Sequence, residues 1–154
     1  MLMLPAFTQQ SIAQQRVRFD KGEFYNVMSA GDVNAIDNEL IMVQNAPKNK
    51  EGYEGALLMR KAGLISGPRK KLDLFKAGRI EMETAIINEP DNVEYHFLRL
   101  AIEERAPKIV KYHNDILNDK AIVIHRFKEL PPAAQHAILD YCKTSKVLHV
   151  EDFA

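Results

Sequence analysis

Apolar positions recur along most of this chain at steps of three and four, the spacing of one helix face. Between Asp32 and Gln44 the face is Ile36, Leu40 and Val43. Between Lys70 and Asn88 it is Leu72, Phe75, Met82, Ala85 and Ile86. Strand signals are scarce. There is no Asn-Gly or Asp-Gly hairpin turn, and β-branched residues concentrate only in "AIVI", Ala121 to Ile124. The pattern predicts an all-α fold of seven or eight short helices. The first covers about residues 15–30 and stops at Gly31. Asp32 caps the second, which ends near Pro47, since a residue before proline is pushed out of helical angles. Asn49 caps the third, about residues 50–61, with Leu57 and Leu58 inside it. Gly63, Gly67 and Pro68 mark a loop over 62–71. The fourth helix spans about 70–88. Asn92 caps a fifth over about 93–105, where Glu94 suits the helix dipole. Pro107 opens a sixth, broken near Asn114 or Asn118. Asp119 caps a seventh to about Leu130, and the proline pair at 131 and 132 starts a last helix to about Thr144.

The connectors repeat. "NAPKN" runs from Asn45 to Asn49 and "NEPDN" from Asn88 to Asn92, so the offset is 88 − 45 = 43 residues. Asn45 pairs with Asn88, Pro47 with Pro90 and Asn49 with Asn92; further on, Glu51 pairs with Glu94 and Leu57 with Leu100. Each copy ends a helix, turns, caps the next and buries its face. A helical-repeat protein reads this way, because one pair is too small to bury its own apolar face.

The stretch "AIINEPDNVEYHFL" resembles the junction between consecutive tetratricopeptide repeats. Ala85 stands five residues before Pro90, Met82 eight before it and Gly78 twelve before it, as in that family. The departures are equally specific. "LRLA" (Leu98 to Ala101) replaces the Leu-Gly pair, Met42 stands five before Pro47 where alanine is expected, and the period exceeds the family's roughly 34 residues. The likeness covers about half the chain. It implies antiparallel helix pairs stacked as a short right-handed solenoid, with the first helix of each pair lining a groove. On that implication Tyr95, Arg99 and Ile102 face a partner. The alternative puts Tyr95 in the core and pairs Arg99 with Glu103 on the helix surface. The overall run also resembles small proteins of Bacteroidetes-type bacteria, a likeness that brings no function with it.

Composition narrows the picture. With 154 residues, 46% apolar and 27% charged, the chain suits one globular domain over 15–145, with a tail over 146–154. Lys plus Arg equals Asp plus Glu, 21 each, so the basic surplus of a nucleic-acid binder is missing. A single cysteine, Cys142, excludes an intrachain disulfide. No apolar run approaches the roughly 18 residues of a membrane span. Residues 1–14 stand apart. "MLMLPAF" followed by "TQQSIAQQ" reads either as the end of an export signal or as a frayed arm of a cytoplasmic protein.

Candidate chemistry is thin. His96, His113, His125, His136 and His149 form no pair four apart, so they read as surface or helix-end histidines and imply no metal. Glu103 and Glu104, and Glu81 with Glu83, read as solvated charge, since sequence neighbours on a helix diverge. Cys142 reads as a buried thiol. Arg69, Lys70 and Lys71 open a helix against its dipole, which points to an anion or an acidic partner, or to a plain solvated face. The sum is a non-enzymatic module offering a helical groove to a peptide or protein, with no cofactor. The alternatives are a small-molecule binder or small enzyme with a pocket between helices, and a self-associating protein.

Overall fold

Short side-chain caps place three of the seven α-helix starts in the computed structural model, which describes residues 18–48 and 50–154. The expectations for residues 1–17 and for an Asn49 cap lie outside the described residues. Asp20 accepts the Glu23 N–H at 2.8 Å and starts α1 (Lys21–Ala30). Gly31 ends it in the left-handed region (φ 69°), where a side chain would be strained. Asp32 accepts the Ala35 N–H at 2.8 Å and starts α2 (Val33–Gln44). α3 (Glu51–Ala62) follows Lys50 with no side-chain cap. α4 (Pro68–Asn88) starts on Pro68, whose fixed φ suits a first helical turn and whose missing N–H is no loss there. Asn92 accepts the Tyr95 N–H and starts α5 (Val93–Arg105).

Beyond α5 the expected boundaries shift. Pro107 opens only a 3-10 turn, Lys108–Val110, which Lys111 ends in the left-handed region. α6 (Ile116–Arg126) follows, then a 3-10 turn at Phe127–Glu129 and α7 (Pro132–Tyr141). Asp119 therefore caps nothing. It lies inside α6, fully buried, because cations on α5 hold it there. The tail docks as a 3-10 turn, Val150–Phe153, with the Phe153 ring 4.6 Å from that of Phe127 and Leu148 fully buried.

Among the described residues the fold is all-α, with seven α-helices and no strand. The most extensive contact joins α3 to α4. Two glycines make it: a Cβ on Gly55 would lie 2.6 Å from the Gly78 carbonyl oxygen, and one on Gly78 would lie 2.7 Å from that of Gly55. Met82 and Ala85 continue the buried face of α4. The next largest contact joins α5 to α6. α1 packs on both α2 and α7, so the first and last α-helices meet.

α5 lies at the centre. Every residue from Val93 to Leu100 is buried. Tyr95 stacks edge-on to Tyr53 of α3, while Phe97 contacts the rings of Tyr25 (α1) and Tyr141 (α7). A helix enclosed on all sides is usually apolar throughout. This one carries Glu94, His96, Arg99 and Glu103 inside, and each needs a partner to offset its lost hydration.

Candidate functional site

The partners come from three directions. On the α1–α3 side, the Glu94 carboxylate accepts from Lys21 Nζ (2.6 Å), the Tyr25 hydroxyl (2.7 Å) and the Tyr53 hydroxyl (3.0 Å). Burial first, then the Glu94 charge, pushes both tyrosine hydroxyls well above their ordinary value. Glu94 sits in the first turn of α5, as expected, and also binds three elements together.

On the α6 side, Arg99 grips Asp119 with both arms: Nε to Oδ2 at 2.7 Å and NH2 to Oδ1 at 2.8 Å. A two-pronged guanidinium–carboxylate contact is among the stronger polar pairs in proteins. His96 Nδ1 meets the same Asp119 Oδ1 at 2.7 Å, and its Nε2 meets the Pro90 carbonyl at 2.7 Å. Arg99 also reaches Glu83 of α4 at 3.1 Å and Asp115 at 3.6 Å. Glu83 in turn accepts the Tyr112 hydroxyl at 2.6 Å. One buried cluster therefore joins α4, α5, α6 and the α4–α5 turn.

The third direction is the end of α5. Glu103 is fully buried; its Oε2 accepts the Asp115 N–H at 3.0 Å, just ahead of α6, and its Oε1 has no hydrogen-bond partner. Burial, with the neighbouring Asp115 carboxyl, pushes Glu103 up to about 8. Glu104 turns the other way and accepts from the Tyr141 and Ser145 hydroxyls and the Lys146 N–H. On α4, burial and the charges of Glu54 and Glu51 push Glu81 up to about 7.

These raised carboxyls set a pH dependence. A carboxyl that holds its proton more tightly when folded adds stability at low pH, and that addition is lost as pH rises through the folded pKa. Thermal midpoints are therefore expected to fall between pH 5 and pH 8, measured by circular dichroism. Glu103→Gln, which keeps the neutral form's shape, is expected to flatten that fall. A midpoint that rises over this range would overturn the assignment.

Several sequence expectations change here. Glu103 is not solvated charge, and His96 is no surface histidine. Tyr95 is fully buried against Gly52, and Arg99 belongs to the Asp119 cluster, so neither presents a free surface. Ile102 is half-buried against the core. The pairing of Arg99 with Glu103 is replaced by pairing with Asp119. Gly78 and Met82 sit in the α3–α4 contact, Ala85 is buried on the same helix, Pro90 lends its carbonyl to His96, Asn92 caps α5, and Pro47 is exposed in the α2–α3 connector. Arg69, Lys70 and Lys71 stand exposed on the first turn of α4. Arg79 lies 4.5 Å over the Tyr112 ring. Cys142 is buried, and burial raises its thiol pKa, the opposite of what a nucleophile needs.

Two surface features remain. An open pocket of about 270 Å³ is lined by Lys21, Lys48 and Lys50 over Phe19, Tyr53 and Glu94. On the outward side of α4, Ile80 and Ile87 are 66% and 77% exposed, two helical turns apart. Among the described residues no group of three or more His, Cys, Asp or Glu side chains is placed to hold a metal ion. No helix among them is long and apolar enough to cross a membrane. No family model matches the chain, and neither does a curated protein or a solved structure.

Proposed function

We propose that this chain is a non-enzymatic interaction module built from tetratricopeptide-like helix pairs. The pairs are α3 with α4 and α5 with α6, joined at the "NEPDN" turn. The module binds a peptide or protein. The observation that carries this reading is the outward line of Ile80 and Ile87 on α4, the longest helix. Large apolar side chains exposed in line are what an apolar partner buries. The charged side chains of α5 are meanwhile committed to internal contacts, so the groove expected there gives way to the α4 face.

The test is recovery of a partner from the native source. Wild type is expected to capture a specific protein that Ile80→Lys/Ile87→Lys loses. The double change lies on the surface, so stability is expected to stay within about 0.5 kcal/mol at each site. Equal capture by both forms would overturn the reading. A second reading, small-molecule binding, is favoured by the pocket where Lys48 and Lys50 offer ammonium groups to a small anion, Lys21 being held by Glu94. Lys48→Glu/Lys50→Glu would abolish that binding and leave partner capture intact.

A further inference from the structure

We propose that His96 is a proton-operated latch: its imidazolium ties the α4–α5 turn to α6, and loss of one proton opens that tie. The argument rests on what the two ring nitrogens face. Nδ1 lies 2.7 Å from an Asp119 carboxylate oxygen, and Nε2 lies 2.7 Å from the Pro90 carbonyl oxygen. A carbonyl only accepts, and an ionised carboxylate only accepts. Both contacts are hydrogen bonds only when both nitrogens carry hydrogen. A neutral ring would point a lone pair at an oxygen at 2.7 Å, whichever tautomer it took.

The extra proton sits on the ring rather than on Asp119. Arg99 already donates to both Asp119 oxygens, which favours the ionised carboxylate. Burial works against the charged ring, as does the Arg99 cation. The bonds to Asp119 and Pro90 and the Asp119 charge outweigh them, and the histidine is raised above its ordinary value. The other ionisable groups of the cluster are Glu83 from α4, Asp115 at the start of α6, Tyr112, and Glu103 on α5 itself. At the turn, Arg126 of α6 also donates to the Asp91 carbonyl at 3.0 Å. That contact is exposed and carries no group that titrates near neutrality.

The sign follows. The raised histidine contributes its tie fully below the unfolded value of 6.5, and the tie is lost as pH rises through the folded value. The latch is closed in mild acid and opens on the alkaline side. The neutral ring keeps one N–H, which stays on the Asp119 carboxylate as the stronger, charge-assisted bond, and Arg99 still holds Asp119, so the part released is the α4–α5 turn at Pro90.

The test is nuclear magnetic resonance on the full 15N-labelled chain from pH 5.5 to pH 9. Long-range ring spectra are expected to show both His96 nitrogens protonated at pH 6.5, with titration above the ordinary histidine value of 6.5. Over the same titration, hydrogen-exchange protection of the Glu89 and Asn92 amides at the α4–α5 turn, corrected for intrinsic rates and divided by that of α3, is expected to fall. The fall is roughly tenfold for each pH unit by which the folded pKa exceeds 6.5. His96→Gln, whose amide does not titrate, is expected to remove this step, while Glu103→Gln keeps it. A neutral-tautomer pattern at pH 6, or protection of the turn amides that ignores the ring titration, would overturn the latch. The wild-type ring spectra decide the matter even if a variant fails to fold.

Discussion

Asp119→Ala is expected to cost about 3–5 kcal/mol of folding stability, the largest single-residue loss in this chain. The side chain is fully buried and takes hydrogen bonds from Arg99 Nε and NH2 and from His96 Nδ1. Its removal leaves a guanidinium and an imidazolium inside the protein without their shared counter-charge. Glu83 and Asp115 still reach Arg99, but both lie toward solvent and neither replaces the lost two-pronged contact. Domains of this kind have about 5–15 kcal/mol in total, so the variant will be partly unfolded or close to it. Urea denaturation followed by circular dichroism at pH 6 reads the loss. Asp140→Ala, which breaks the exposed pair with Lys143, serves as the control and is expected to leave the urea midpoint close to that of wild type. A loss of under about 1 kcal/mol for Asp119→Ala would mean that the Arg99–Asp119 contact does not hold α6 in solution.

Local chemistry was readable in advance and long-range pairing was not. Asp32, Asn92 and Gly31 announce helix ends because a cap acts within three or four residues of itself. The α5 cluster acts across 20 or more positions, from Arg99 to Asp119 and from His96 to Asp119. Asp119 lies inside α6 rather than at a helix start for a physical reason: aspartate is both a good cap and a good counter-ion, and sequence alone does not separate the two. One signal was present. His96, Arg99 and Glu103 follow each other at steps of three and four, as a core-facing stripe would, and Asp115 and Asp119 stand four apart with the complementary charge. A polar stripe facing an opposite one is the trace of a buried network. The fold class followed from the helical period. The proposed site lies on the outward face of α4 rather than on α5, because Tyr95 and Arg99 are interior.

Gly55→Ala is expected to destabilise the protein by about 1–3 kcal/mol, against the sign that helix propensity alone dictates. In an open helix interior, alanine gains about 1 kcal/mol over glycine. Here the new Cβ would stand 2.6 Å from the Gly78 carbonyl oxygen and 2.8 Å from the Met82 nitrogen. Both atoms are backbone in the middle of α4, so no rotamer change relieves the clash. The helices must separate, and close-packed contacts along the whole α3–α4 face weaken together. Only Gly78 was legible as a small position, through the repeat it resembles. Its partner on α3 became evident once the two helices were placed side by side. Gly63 supplies the comparison: it has ordinary helical angles, and a Cβ there would meet only the Arg60 carbonyl, at 3.4 Å. Gly63→Ala is expected to be neutral or slightly stabilising. Thermal melts of the two variants therefore test a difference of sign. A midpoint for Gly55→Ala at or above wild type would show that α3 and α4 do not meet at these glycines.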